Sequence, residues 1–118
     1  MELGLKDKVI LVTGGASGIG QDIVKKLLTL EAIPIVIDKL KKVEASWGQD
    51  NCDMPMPHWV TLDLVEENFC RIAVCKIIAQ FGRIDGLVNN AGMNDSVGLT
   101  SGVDQFRASI EANLIHYF

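Results

Sequence analysis

Two kinds of hydrophobic pattern alternate along the chain. Short apolar runs predict β-strands at residues 8–13, 33–38 and 58–62, and the first has no polar alternation, which is typical of a strand buried on both faces of a parallel sheet. Pro34 stands near the start of the second run, where a missing N–H is tolerated. Residues 83–89, apolar at three positions, predict a fourth strand.

Between these runs, apolar residues recur every three or four positions, as on one face of a helix. The first predicted helix starts at Gly18 and the second spans 66–81, where Gly82 is placed to end it. The third spans 102–118, and a short helix is expected at 39–47 before a loop at 48–57. The predicted apolar faces are Ile19, Ile23, Leu27 and Leu30; Phe69, Ala73, Ile77 and Phe81; and Phe106, Ile110, Leu114 and Phe118.

Strands that alternate with helices indicate βαβ units with right-handed crossovers. The sequence therefore predicts an α/β fold of three layers, with helices on both faces of a parallel sheet. Its length of 118 residues, with 48% hydrophobic and 22% charged residues, suits one domain over residues 1–118.

Composition narrows the possible partners. The net charge is -4 and the densest basic cluster is the short stretch 39–42, so we expect no nucleic-acid partner. No apolar stretch approaches the roughly 20 residues of a membrane helix. Cys52, Cys70 and Cys75 form no C-x-x-C pair, and the two histidines offer no zinc spacing. These features favour a cytoplasmic protein with reduced thiols and no metal.

The segment LVTGGASGIG, residues 11–20, places four glycines where the first strand ends and the first helix begins. Glycines in such a turn allow backbone N–H groups to approach a phosphate at a helix N-terminus. A P-loop is excluded because Gln21 stands where that motif requires lysine, and the spacing G-x-G-x-x-G does not fit either. A pyrophosphate is the ligand we expect; a tight turn that binds nothing is the alternative.

Asp38 ends the second predicted strand, 24 residues after Gly14. A carboxylate there can accept hydrogen bonds from both ribose hydroxyls of an adenosine. A 2′-phosphate would face a like charge worth about 4 kcal/mol at ~4 Å and an effective dielectric constant of 20, reduced by screening and by Lys39. The sequence thus predicts NAD in preference to NADP; the alternative role for Asp38 is a helix N-cap.

The run from Thr13 to Gly20 resembles the T-G-x-x-x-G-x-G motif of the short-chain dehydrogenases/reductases, a Rossmann-type family. Asp63 in TLDL resembles the family's aspartate that bonds the adenine amino group, and N-N-A-G at 89–92 resembles its second signature. Alternatively, Asp63 forms a capping box with Glu66, and N-N-A-G is a plain turn. The residues that the resemblance assigns to cofactor binding are Gly14, Ser17, Gly18, Ile19, Gly20, Asp38, Asp63, Leu64, Asn90, Ala91 and Gly92.

The family's catalytic groups are a serine and a Tyr-x-x-x-Lys motif. The single tyrosine, Tyr117, has no lysine four positions later within the chain, so packing is its expected role. Asn113 resembles the family's asparagine that holds a water in the proton relay, and it is the one catalytic candidate. His116 is expected to pack rather than to react.

A narrower resemblance is to sugar dehydrogenases that oxidise L-fucose and related aldoses at C1, with Asn94 and Asp95 as candidate sugar contacts or as solvated loop residues. The resemblance implies strand order 3-2-1-4 and a chain that stops before the family's later strands. We therefore expect the NAD-binding portion of a dehydrogenase acting on a sugar or alcohol, inactive by itself. Exposure of Ile110, Leu114, Ile115 and Phe118 would favour a homo-oligomer through the last helix. The alternative is a non-catalytic nucleotide-binding or dimerisation module.

Overall fold

The computed structural model describes residues 2–40, 47, 55–92 and 100–115. Its elements are the strands β1 (Val9–Thr13), β2 (Ile33–Asp38), β3 (His58–Thr61) and β4 (Gly86–Val88), and the helices α1 (Gly18–Thr29), α2 (Glu67–Phe81) and α3 (Val103–Asn113). Most of the short helix expected at 39–47 and most of the loop at 48–57 lie outside the described residues.

The four strands form one parallel sheet in the order β3-β2-β1-β4, which confirms the predicted α/β architecture. Leu11 of β1 lies beside Ile35 of β2 on one side and Leu87 of β4 on the other. All five residues of β1 are buried, because this central strand has neighbours on both edges and helices over the sheet. The edge strands are more exposed.

Side chains of β1 and β2 point alternately to the two faces of the sheet and supply two separate cores. One core joins strand residues to α2, and its buried members are Val9, Leu11, Ile35, Ile37, Leu62, Ala73 and Ile77. The other joins strand residues to α1, and its buried members are Ile10, Val12, Val24, Leu27, Ala32, Val36 and Trp47. The sheet is therefore covered on both faces around its two central strands.

The predicted apolar face of α1 was partly wrong. The buried residues are Gly20, Val24 and Leu27, while Ile19 is 74% exposed. The stripe that meets the sheet passes through glycine at position 20, because close packing there leaves no room for a side chain. Ile19, one position earlier, consequently points away from the sheet.

The other two helices bury less than their patterns indicated. In α2, Ala73 and Ile77 are buried as predicted, but Phe69 is 60% exposed, and Gly82 ends the helix in the left-handed conformation at φ 78. No residue of α3 is buried, and Phe106 is exposed. Leu114 and Ile115 are exposed as expected, whereas residues 116–118 lie outside the described part.

Strand β4 is shorter than predicted because the residues before it fasten β1. The Asp85 carboxylate accepts a hydrogen bond from the Val9 N–H at 2.9 Å, and the Asp85 N–H donates to the Val9 carbonyl at 2.8 Å. Arg83 forms an ion pair with the same carboxylate. The Arg83 guanidinium, and after it the Val9 N–H, lowers the pKa of Asp85. Residues 83–85 thus act as a clasp at the start of the sheet.

Within the described ranges, no helix is both long and apolar enough to cross a membrane.

Candidate cofactor cleft

A cleft of about 630 Å³ lies at the carboxyl ends of the strands. It extends across the end of β1, which has β2 on one side and β4 on the other, so that the strand order reverses there. Open parallel sheets bind ligands at such switch points. Eight of the predicted cofactor residues line it, namely Gly14, Ser17, Asp38, Asp63, Leu64, Asn90, Ala91 and Gly92. The structure therefore brings four separate parts of the sequence together.

The glycine loop is shaped by one conformational and one steric requirement. Gly14 and Gly18 have φ values of 67 and 54, a region that L-residues with side chains rarely adopt. A Cβ on Gly20 would lie 2.2 Å from the Gly14 carbonyl oxygen and 2.5 Å from Asn90 Nδ2. Glycine at these positions lets the backbone close into a tight turn.

The first turn of α1 faces the end of this loop. Ser17 is the N-cap, and the Gln21 N–H donates to its carbonyl at 3.2 Å, which starts the helical hydrogen bonds. The N–H groups before Gln21 consequently have no carbonyl partner within the helix. The Ser17 hydroxyl makes no capping bond to this described turn. Gly18, Ile19 and Gly20 form that turn, and their backbone, rather than the exposed Ile19 side chain, suits an anion.

The segment N-N-A-G is fastened to the end of β1. The Thr13 hydroxyl accepts hydrogen bonds from the N–H groups of Asn90 and Ala91, both at 3.0 Å, and lies 3.3 Å from the Val88 carbonyl, to which it can donate. Asn90 Nδ2 lies 3.2 Å from the Thr13 carbonyl and 3.3 Å from the Gly14 carbonyl. This segment is thus more than a plain turn: it locks β4 to the glycine loop.

The Asp38 carboxylate lies between the glycine loop and the turn that follows β2. Its Oδ2 accepts from the Ala16 N–H at 3.1 Å and its Oδ1 accepts from the Leu40 N–H at 3.0 Å. A carboxylate has about four acceptor positions, so each oxygen retains one that these bonds do not use. The side chain is half-buried at the wall of the cleft.

Asp63 stands on the same wall after β3. Its Oδ1 accepts from the Val65 N–H at 3.2 Å. The alternative role for Asp63, a capping box with Glu66, is absent from this described segment, because α2 starts at Glu67 with Glu66 as its N-cap. The Cys70 thiol lies 3.5 Å from the Leu64 carbonyl, and burial, followed by the charge of Asp63, raises its pKa. Cys70 is therefore a protonated donor that supports the wall.

Helix α3 supplies a wall that the sequence prediction missed. Ala108, Glu111 and Ala112 line the cleft, and their spacing of three and four places them on one helical face. Two small residues one turn apart, with a charged residue on the same face, were the available signal. Lys39 and several apolar residues complete the lining, namely Ile37, Leu40, Leu62 and Val65.

Asn113 lies near N-N-A-G but is not among the residues that line the cleft. Its Nδ2 donates to the Ser109 carbonyl at 3.1 Å, one turn earlier in α3. Its Oδ1 lies 3.2 Å from the position that a Cβ on Gly92 would occupy. Asn94, Asp95, His116 and Tyr117 lie outside the described residues. Among the residues that are described, no three His, Cys, Asp or Glu side chains group as metal ligands would.

Solved structures of this fold contain both forms of the nicotinamide cofactor. ElxO with NADP bound has 27% identity and a TM-score of 0.82, with 93% of this chain and 46% of that chain covered. A short chain dehydrogenase from Leptospira borgpetersenii with bound NAD+ has 22% identity and a TM-score of 0.79, with coverage of 97% and 43%, which shows a common fold.

Comparisons of the sequence give a consistent family. Sorbitol-6-phosphate 2-dehydrogenase of Klebsiella pneumoniae is 39% identical over 92 residues, which are 78% of this chain and 32% of that protein. L-fucose dehydrogenase of Bos taurus is 33% identical over 110 residues, with coverage of 92% and 40%. The crystal structure of Cj0485 dehydrogenase has 31% identity and a TM-score of 0.86, with coverage of 99% and 45%.

The chain spans less than half the length of each of these relatives. Residues 8–118, nearly the whole sequence, match the family model described as short chain dehydrogenase. Sequence, sheet order and cleft therefore lead to one assignment: this chain belongs to the short chain dehydrogenase family.

Proposed function

We propose that these residues form the NAD-binding portion of a short-chain dehydrogenase that transfers hydride between NAD and a hydroxyl or carbonyl substrate. One observation carries the proposal: the glycine loop, two strand-end carboxylates and N-N-A-G share a single cleft. Bound NAD would supply the hydride acceptor. The substrate class we propose is a sugar or alcohol, because relatives include dehydrogenases named for L-fucose and for sorbitol 6-phosphate.

The cofactor's pyrophosphate is assigned to the start of α1. The turn at Gly14–Gly20 is free of side chains where the backbone must come close, and the first N–H groups of the helix lack carbonyl partners within it. The helix dipole adds partial positive charge at the same point. Backbone N–H groups and the Ser17 hydroxyl would hold the phosphates.

The adenosine half is assigned to the strand ends beyond the loop. Asp38 would accept from both ribose hydroxyls, and Asp63, with Leu64 beside it, would accept from the adenine amino group. The charged side chains at the cleft are Asp38, Asp63 and Glu111 against Lys39 alone among the described lining. Since a 2′-phosphate would add negative charge beside Asp38, NAD is preferred over NADP.

The nicotinamide half is assigned to the side where Asn90, Ala91 and Gly92 line the cleft. Asn113 lies behind Gly92, and we propose it as the asparagine that holds a water for proton relay. The 118 residues contain no Tyr-x-x-x-Lys motif to act as the base. We therefore propose that this chain binds cofactor but has no dehydrogenase activity by itself.

Helix α3 favours a second candidate function, a nucleotide-binding or dimerisation module. Val103, Phe106 and Leu114 are exposed on or beside a helix with no buried residue. Pairing of two chains through this helix would cover those side chains.

Cys70 and Cys75 are unpaired thiols, consistent with the reducing cytoplasm that we propose as the protein's location.

Calorimetric titration of the chain with NAD and NADP tests the proposal. We expect NAD to bind at least about tenfold more tightly than NADP, a difference of about 1.4 kcal/mol. D38A should reduce the ratio of the NADP dissociation constant to the NAD dissociation constant. D22A, a matched change at an exposed position of α1 outside the cleft, should leave this ratio unchanged.

Equal affinities for the two cofactors in the unmodified chain would refute the NAD preference. A folded chain by circular dichroism that binds neither would refute cofactor binding. Sedimentation of the chain at several concentrations tests the module candidate, which requires a dimer that F106A weakens.

A further inference from the structure

The Ala16 N–H sits at the centre of the glycine loop and needs a partner. Ala16 is only 1% exposed, and a buried backbone donor without an acceptor is costly. The acceptor is Asp38 Oδ2 at 3.1 Å. The start of the loop is held separately, by the Gly14 N–H donating to the Ile37 carbonyl at 2.9 Å. The Asp38 carboxylate thus supports the middle of the loop.

The orientation of the Asp38 carboxylate is itself fixed by hydrogen bonds. Its Oδ1 accepts from the Leu40 N–H at 3.0 Å, and the Leu40 carbonyl accepts from Trp59 Nε1 at 3.0 Å. A line of hydrogen bonds therefore runs from β3 through this turn to Ala16. The carboxylate is fixed before any ribose arrives.

We infer that Asp38 is a positioning residue for the phosphate-binding loop, in addition to its proposed contact with ribose. The inference rests on the proposed function only in taking a pyrophosphate as the loop's ligand. By holding the Ala16 N–H, Asp38 keeps the backbone before Ser17 in the form that turns the first N–H groups of α1 toward an anion.

A ligand without ribose separates this role from ribose recognition. The two roles predict opposite changes in the affinity for phosphate when the Asp38 carboxylate is removed. A carboxylate repels a nearby phosphate, so its removal strengthens phosphate binding if charge is all that matters. If Asp38 supports the loop, its removal weakens phosphate binding although it removes a repulsive charge. Asp22 is the matched control, because it is an exposed carboxylate of α1 that does not line the cleft.

The experiment is titration of the unmodified chain, D38A and D22A with inorganic pyrophosphate, monitored by amide chemical shifts in NMR spectra. We expect D38A to weaken pyrophosphate binding by about tenfold, the order of one lost charge-assisted hydrogen bond, and D22A to leave it unchanged or stronger. Unchanged or tighter binding in D38A would overturn the inference.

Amide hydrogen exchange without ligand gives an independent measurement. We expect the Ala16 amide to exchange more slowly than an open amide in the unmodified chain and in D22A, and to lose this protection in D38A, while the α1 interior amides keep theirs. Equal Ala16 exchange in all three proteins would overturn the inference. If the unmodified chain binds no pyrophosphate while D38A removes Ala16 protection, the proposed cofactor function fails and the loop support stands.

Discussion

Helices α1 and α3 have similar sequence patterns and different surroundings. Both have apolar residues every three or four positions, yet α1 buries Val24 and Leu27 against the central strands while α3 buries nothing. Periodicity reports that one face of a helix is apolar. It does not report whether the rest of the chain supplies the surface that covers this face.

The two helices therefore give the cleft walls that differ in how well they pack against the core. The glycine loop and α1 rest on β1 and β2, where the core is continuous. Another part of the cleft wall comes from α3, through Ala108, Glu111 and Ala112. Elements with few buried apolar residues open more readily, so we expect α3 to exchange its amides faster than α1.

A valine in each helix gives the largest predicted effect. V24A removes two methyl groups from a site with 0% exposure and should lower the free energy of unfolding by about 2 kcal/mol, including the cavity. V103A acts at a 66% exposed position and should change it by less than about 0.5 kcal/mol. Urea unfolding followed by circular dichroism measures both. Equal losses would mean that Val103 is covered in solution.

The clasp that joins β4 to β1 should give a smaller, pH-dependent effect. Because the folded pKa of Asp85 is lowered, by Arg83 first and the Val9 N–H second, its contribution is complete above the unfolded pKa of about 3.9. That contribution is lost as the pH falls through the lower folded value. D85N should therefore reduce the urea midpoint at pH 7, and the gap to the unmodified chain should shrink at acid pH.

The matched control for the clasp is D22N, at an exposed position of α1. It removes the same charge without touching β1 or β4 and should shift the midpoint little at any pH. A D85N midpoint equal to that of the unmodified chain at pH 7 would show that the Arg83 and Val9 contacts add nothing to the sheet.

Much of this fold could be predicted from local pattern. Strand β2 was predicted at its observed bounds, because residues 33–37 form an unbroken apolar run that ends at the charged Asp38. The parallel order followed from the alternation of strands and helices together with the family resemblance. The prediction that Ile19 lies on the buried face of α1 was wrong. The periodic pattern considers only apolar side chains, whereas the buried face at the tight turn is formed by a glycine, Gly20.

The site shows the same division. Its glycine turn and strand-end carboxylates are short motifs, so the sequence reveals them directly. The bond from Asp38 to the Ala16 N–H joins residues 22 positions apart, and the wall from α3 depends on how that helix crosses the sheet end. The bond leaves no signal in the local pattern, and the wall leaves only the helical spacing of Ala108, Glu111 and Ala112, because both features depend on tertiary geometry.

The ends of α1 and α2 give the smallest predicted effect and extend the comparison of helices. Both helices are followed by a residue with positive φ, Glu31 at 60 and Gly82 at 78. After α1, the N–H groups of Glu31 and Ala32 donate to the carbonyls of Leu28 and Leu27 at 3.1 and 3.0 Å, the pattern of a Schellman motif. Glycine is the usual residue at this position, so Glu31 adds local strain to the better packed helix.

E31G should raise the free energy of unfolding by about 0.5 kcal/mol, because relief of a strain of about 1–2 kcal/mol exceeds the entropy that glycine adds to the unfolded chain. The reciprocal change G82E should lower it by about 1 kcal/mol, although no described atom lies within 4 Å of the added Cβ. Urea unfolding of the two variants at neutral pH measures both signs. Destabilisation by E31G would show that the Glu31 side chain makes a stabilising interaction that outweighs its backbone strain.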